Sequence, residues 1–386
     1  MTSSRWPGQG RSRPGTAGAS AMVIPMKRRW FAIGDPQTTF EKFLGILGQH
    51  DLLDEKGSLR EEVGLVSIGD HFDFQSHDKK PLADTGRDGE DILRWLAGHP
   101  ADQVVILLGN HDTARVMELA FESDESFAAA RALAAECKAE APPAEKTREF
   151  VATYPRIPTP GIAHRDYSAF AVSQRKLVQQ LLLARRMRLA CLGHHAGKPA
   201  LLTHASITSA QVEELGVEPH AAALVDALEA RLHAAVARVR GAWERDELAA
   251  LSLEPLHFAG RGGREGGGLL YHRASQKEDA SGSGAPVSRR KFHPSHLPRG
   301  LVQVQGHCGH HKCLEELADW LGPSATERDR GGLRTLAAGE SRIVYDAGIA
   351  PARDEDATVY FIDIEMNWPS VTDYPLFALE SVVATI

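Results

Sequence analysis

Three short apolar runs, each ended by glycine and then by a side chain with an oxygen to offer, constrain this chain most. Trp30 to Ile33 runs into Gly34-Asp35-Pro36-Gln37, Val63 to Ile68 into Gly69-Asp70-His71-Phe72-Asp73, and Val104 to Leu108 into Gly109-Asn110-His111-Asp112. Runs of this length, rich in β-branched residues and stopped by glycine, read as buried strands. Between the first two, Phe40, Phe43, Leu44 and Leu47 share one helical face; Ile92, Leu93, Trp95 and Leu96 mark a second helix, after a loop read as Asp70 to Arg87. Strand, helix, strand, helix implies parallel strands with right-handed crossovers. Parallel strands end on one edge, so the three loops meet there, where open α/β sheets bind ligands.

Later segments extend the pattern. Ala200 to Thr203 reads as a strand that delivers His204, and Leu301 to Gln305 as one that delivers Gly306-His307-Cys308-Gly309-His310. Ser341 to Asp346 and Thr358 to Ile364 read as two late strands, and Gly193 to Gly197, with His194 and His195, as a turn near the site. Residues 209–250 are alanine-rich with Leu224, Leu228 and Leu232 at helical spacing, and glycine- and serine-rich loops follow. Together they read as a helical, glycine-rich insertion over about residues 209–300, capping the strand ends. Residues 1–27 read as a disordered tail, which leaves 28–386 as one domain.

Composition narrows the function. A chain of 386 residues, 42% of them hydrophobic, can bury a sizeable core. A net charge of -7 argues against an electrostatically driven nucleic-acid binder. Four cysteines are too sparse for a disulfide scaffold and suit a reducing compartment. No apolar run approaches the roughly 20 residues that span a bilayer, and the N-terminus lacks a secretory pattern. The expectation is a cytoplasmic protein with no membrane partner.

Asp35, Asp70, Asn110, His204 and His307 lie far apart in sequence, yet each follows a short strand. Carboxylates, an amide and imidazoles form a donor set suited to manganese, iron or zinc. They are too many for one open tetrahedral site, whereas two metals about 3.5–4 Å apart that share a carboxylate would use them all. Singly, each has a bland reading, since an aspartate after a strand is commonly a turn or cap residue. Ordered recurrence favours the metal reading. The Cys308 to Cys313 loop crowds its donors into one segment, unlike a structural zinc site.

In order and spacing, GD-x-Q at Gly34 to Gln37, GD-x-x-D at Gly69 to Asp73, GNHD at Gly109 to Asp112, THA at Thr203 to Ala205 and GH at Gly306-His307 resemble the calcineurin-like metallophosphoesterases. The resemblance covers roughly Trp30 to Ile364. The THA strand, the segment Leu269 to Arg273 and Asp346-Ala347-Gly348 look most like the branch of diadenosine tetraphosphatases and Ser/Thr protein phosphatases. It implies a four-layer α/β/β/α sandwich of two mixed sheets and two divalent metal ions, manganese foremost, with iron or zinc as alternatives. It further implies hydrolysis of a phosphomonoester or nucleoside polyphosphate by a metal-bridging hydroxide. Asp35 with Gln37 would hold the first metal, Asp70 would bridge, and Asn110, His204 and His307 would hold the second. His111 would be the general acid, oriented by Asp73, and Arg273 would meet substrate oxygens, with Arg115 a further candidate.

The chain departs from the family pattern at three places. Gln37 stands where a histidine is usual, and its amide oxygen is a weaker ligand than imidazole. Phe74 stands where the protein-phosphatase branch carries arginine, so a small phosphate ester or nucleotide is the expected substrate ahead of a phosphoprotein. One extra residue separates His307 from His310, which stays a candidate for the first metal. The alternatives are a phosphodiesterase and a non-catalytic metal-binding scaffold of the same fold; retention of Asp73 and His111 argues against the scaffold.

Overall fold

Side chains alternate along a strand, so a strand covered on both faces feeds two separate cores. In β1, Arg29–Ile33, Trp30 and Ala32 enter one apolar cluster and Ile33 another. The same division recurs in β2, Val63–Ser67, where Val66 parts from Val63 and Leu65, and in β3, Val104–Leu107, where Val105 and Leu107 part from Val104 and Ile106. The helices Phe40–Gln49 and Leu82–Ala97 bring Phe43, Leu47, Ile92 and Leu96 to the core that holds Ile33. The other core is a seam between two sheets.

The computed structural model describes residues 28–74, 81–139, 144–278, 286–327 and 332–383. The expected tail at 1–27 lies outside them. Three more strands follow near the middle of the chain: β4 Met187–Arg188, β5 Ala190–His195 and β6 Lys198–Thr203. The insertion adds two short ribbons, β7 His257–Phe258 with β8 Gly267–Gly268 and β9 Arg273–Ala274 with β10 Lys291–Phe292. Then come β11 Val302–Gln305, β12 Arg334–Ala338, β13 Ile343–Ala347, β14 Ala357–Phe361, β15 Phe377–Leu379 and β16 Ser381–Val383.

One sheet has the order β15-β1-β2-β3-β4, parallel except for β15. The other runs β13-β12-β14-β11-β6-β5-β16, with β6, β11 and β14 parallel at its centre and antiparallel partners on both sides. Both sheets are mixed, and the architecture is α/β as expected. They meet face to face where Trp30, Val66 and Leu107 of the first pack with Leu202, Val304 and Tyr360 of the second. Among the described residues no helix is long and apolar enough to cross a membrane.

Three expectations are corrected. The helix Ala221–Glu244 does not cap the strand ends: its apolar stripe of Leu224, Leu228 and Leu232 needs a sheet face, and it finds Ala190 and Leu201 of β5 and β6. The loops after it reach the strand ends instead. His194 and His195 sit away from the site, because the hairpin pairs His195 with Lys198 at one end of β6 while Thr203 marks the other. The helix expected after Arg87 begins at Leu82, with Gly86 and Gly89 inside it. A Cβ on Gly89 would lie 2.5 Å from the His71 carbonyl oxygen, so this glycine serves a close approach rather than a loop.

Candidate metal centre and active site

The carboxyl ends of β1, β2, β3, β11 and β14 converge on one cavity of about 720 Å³, and His204, at the end of β6, lies behind Asp70 and Asn110. The loops there are packed backbone to side chain. A Cβ on Gly109 would sit 2.0 Å from Asp70 Oδ1, and one on Gly306 would sit 1.9 Å from Asp35 Oδ1, so no other residue fits either place. Asp112, fully buried, staples the second and third loops together. Its Oδ2 accepts from the Asp70 amide at 3.0 Å and the Gly109 amide at 2.9 Å, and lies 3.0 Å from His71 Nδ1; Oδ1 accepts from the His71 amide at 3.1 Å. Asp70, Asp73 and His307 adopt left-handed backbone angles, with φ of 56°, 66° and 63°. Such positions cost about 1–3 kcal/mol each and persist where surrounding contacts over-determine them.

His204 shows what the centre is built for. Its Nδ1 lies 3.0 Å from the Ile68 carbonyl oxygen, which can only accept, so Nδ1 carries the hydrogen. In the neutral ring Nε2 then turns its lone pair on Asn110 Oδ1 at 3.0 Å and Asp70 Oδ2 at 3.4 Å. Electron-rich atoms buried together in this way need a positive charge among them. His307 adds a further donor: its Nε2 is buried without a hydrogen-bond partner. One ligand atom each from Asp70, His204 and His307 lies within 4.8 Å of the others, the only such group of three among the described residues. Burial, then the charge of Arg273, pushes His307 well below the ordinary histidine range, so its lone pair is available. The donor set therefore fits a divalent cation, and the backbone carbonyl behind His204 is the usual support for a ligating imidazole.

Asp35 lines the same cavity. Its carboxylate accepts from the His307 amide at 3.2 and 3.0 Å. Burial, then the charges of Asp363 and Asp70, push its carboxyl well above the ordinary range. Gln37 lines the same cavity, and its Nε2 donates to the Phe72 carbonyl at 2.8 Å, which leaves the amide oxygen as the atom open to a cation. His310 does not line the cavity; its Nδ1 lies 3.0 Å from the Tyr345 hydroxyl.

His111 stands beside the centre. Its amide donates to Asp70 Oδ1 at 2.8 Å, its Nδ1 is 2.9 Å from Asp73 Oδ2, and its Nε2 is 3.8 Å from Asp70 Oδ2. Burial alone would lower its pKa; the carboxylates of Asp70 and Asp73 outweigh burial and raise it to about 9. Asp73 is itself anchored. Arg115, completely buried, donates through Nη1 to Asp73 Oδ2 and, at 3.0 Å, to the His111 carbonyl, while its Nε donates to Gln174 at 3.1 Å. Burial would raise the Asp73 carboxyl, and Arg115 followed by His111 holds it below the ordinary range. Arg115 is thus corrected from a candidate substrate contact to the anchor of the His111 and Asp73 pair: it lies outside the cavity lining, with its guanidinium turned to Asp73 and the His111 carbonyl.

Arg165, Arg273, Arg290, Lys291 and Lys312 surround the cavity. Four of them are ion-paired: Arg165 with Asp166, Arg290 with Glu265, Lys291 with Glu316 at 2.6 Å and Lys312 with Glu315 at 3.3 Å. Arg273 has no carboxylate partner among the described residues, and its Nε is buried without a hydrogen bond. It is the cation most available to an anion. Sequence reading missed Asp363, which lines the cavity two residues beyond β14 after the apolar run Val359 to Ile362. That is the same strand-then-aspartate signal as at Asp35 and Asp70, hidden inside a segment read as unbroken strand. It also missed Tyr271, a cavity wall whose hydroxyl is 2.9 Å from that of Tyr167.

No family model matches the chain, and no curated protein matches it. Solved structures similar to it include that of a cold-active protein tyrosine phosphatase from a psychrophile, Shewanella sp., at 12% identity and a TM-score of 0.36, over 90% of this chain and 73% of that one. A point mutant of a cold-active protein tyrosine phosphatase matches at 12% identity and a TM-score of 0.36 over 94% and 82%. A further structure of a cold-active protein tyrosine phosphatase matches at 13% identity and a TM-score of 0.29, over 62% of this chain and 64% of that one. At these TM-scores the likeness carries no argument about activity.

Proposed function

We propose that this protein is a metal-dependent phosphoester hydrolase of the calcineurin-like kind, acting on a small phosphomonoester or nucleoside polyphosphate. One observation carries the reading: a buried donor cluster in need of a cation and a carboxylate-held histidine stand at the same cavity. Asp35, Gln37 and Asp70 would hold one divalent ion, and Asp70, Asn110, His204 and His307 the other. Two such ions, manganese foremost, supply charge neutralisation of the phosphoryl oxygens and lower the pKa of water toward neutrality.

The chain's own groups do the rest. Asp73 fixes the His111 ring through Nδ1, so Nε2 is the atom left to give a proton to the leaving oxygen. The Asp73 carboxylate at Nδ1 favours the protonated ring that a general acid needs. Arg115 keeps Asp73 ionised and in place. Arg273 faces the substrate oxygens. A cavity of about 720 Å³ suits a small-molecule ester.

The test uses the manganese-loaded protein and its His111→Ala variant on an aryl phosphomonoester, an aryl phosphodiester and diadenosine tetraphosphate. Metal-dependent turnover of the monoester or the tetraphosphate is expected, reduced about a hundredfold or more in the variant. Turnover of the diester alone would reassign the reaction to a phosphodiesterase. Equal rates in both proteins, or none with metal bound, would overturn the proposal.

A further inference from the structure

Resting on the proposed two-metal reading, we infer that Asp363 is a ligand of the ion held by Asp35 and Asp70, in the place where Gln37 offers only an amide oxygen. β14 runs parallel to β11 with Gln305 opposite Phe361, and the Ile362 amide donates to the Gln305 carbonyl at 2.8 Å. Two residues further along each strand stand His307 and Asp363, so they leave the second sheet side by side. From the first sheet, Gly34 presses on the same point: a Cβ there would lie 2.1 Å from the Ile362 carbonyl oxygen and 2.9 Å from Asp363 Cα. The residue after Gly34 is Asp35. Asp363 is thus wedged between Asp35 and His307 by the backbone of both sheets.

The side chain is buried, at 6% exposure, and lines the cavity with Asp35, Gln37 and Asp70. Its carbonyl is held by Arg334, and its Oδ1 accepts from the Glu365 amide at 2.8 Å. Among the described residues neither Asp35 nor Asp363 forms an ion pair with a cationic side chain. Arg334, bonded to the Asp363 carbonyl, offsets part of that charge, and the rest of the buried pair calls for a cation or a proton. The partnerless buried Nε2 of His307 at the same wall points independently to a ligand. Three carboxylates with one amide oxygen form a harder donor set than the imidazole side of the centre and favour manganese or magnesium there over zinc. The two halves of the site would differ in metal preference.

The test measures manganese binding to the full chain by equilibrium dialysis with elemental analysis and by electron paramagnetic resonance, for wild type and Asp363→Asn. Wild type is expected to bind two ions per chain with a spin-coupled signal. Asp363→Asn is expected to keep one tight ion, bind the other about tenfold or more weakly and show the six-line signal of an isolated ion. Gln37→His in that background should restore the second ion. Melting of the metal-free proteins supplies a second readout: the variant, relieved of a repelling charge, should melt at or above wild type. Two ions bound with unchanged affinity would overturn the inference and leave the proposed function standing. So would a metal-free variant that melts several degrees lower, because Asp363 would then support the loop rather than an ion. Fewer than one ion on wild type would overturn the proposed function and this inference with it.

Discussion

Glu118 carries a prediction whose sign follows from its surroundings. The side chain is 3% exposed, accepts from the Gly260 amide at 2.9 Å and has no cation paired with it among the described residues. Burial, only partly offset by that hydrogen bond, raises its carboxyl from 4.5 to about 7. Between those two values the folded protein holds a proton that the unfolded chain has released, so stability falls as pH rises. The contribution is intact below 4.5 and lost once pH passes the folded value of about 7. At about 1.4 kcal/mol per pKa unit the shift is worth about 3 kcal/mol. Glu118→Gln keeps the shape and the bond to Gly260 but cannot ionise. Urea denaturation of both proteins across the pH range should give nearly equal stability in acid and a variant more stable by up to about 3 kcal/mol at about pH 8, with unchanged m-values. A constant offset at all pH values, or a variant weaker in alkali, would refute the reasoning. The same network bears on the site, because a neutral Glu118 leaves Tyr167 and the cavity wall at Tyr271 free of negative charge where an anionic substrate must come.

Three further outcomes are expected. Arg115→Met strands the buried Asp73 carboxylate and should destabilise the protein by about 3–5 kcal/mol, measurable by denaturant titration. Gly109→Ala places a methyl group 2.0 Å from Asp70 Oδ1, and the displaced loop should cost about a hundredfold in turnover while bulk secondary structure by circular dichroism stays native. Removal of metal by a chelator should lower the melting temperature, reversibly on adding manganese, by an amount that grows with the free manganese concentration used for the loaded protein.

Much of the site was legible because it is written in short strands. At Asp35, Asp70 and Asn110 an apolar run, a glycine and an oxygen donor lie within a few residues, and a parallel sheet brings such places to one edge without further information. What escaped is what depends on the second sheet and on contact. Asp363 was hidden because hydrophobic Ile364 follows it and made the strand look unbroken. His194 and His195 were misplaced because periodicity does not say which way a strand runs. Arg115 read as a candidate substrate contact, and only packing against Phe72, with its guanidinium carbon 4.6 Å from the ring centroid, reveals it as an interior anchor. The helix from Ala221 was recognised as a helix, but the face that would receive its leucines belongs to strands of another region.

Asp35, Asp70 and Asn110 hang from one sheet, and His204, His307 and Asp363 from the other. An ion at their meeting point is therefore a clasp between two slabs that otherwise adhere through side-chain packing at the seam. Its residues come from opposite ends of the chain, so the loops it closes are nearly as long as the domain itself. On the proposed reading, metal supply would govern more than turnover: without it the slabs would be freer to slide or part, and the cooperativity of the whole fold would be set by the concentration of a small ion.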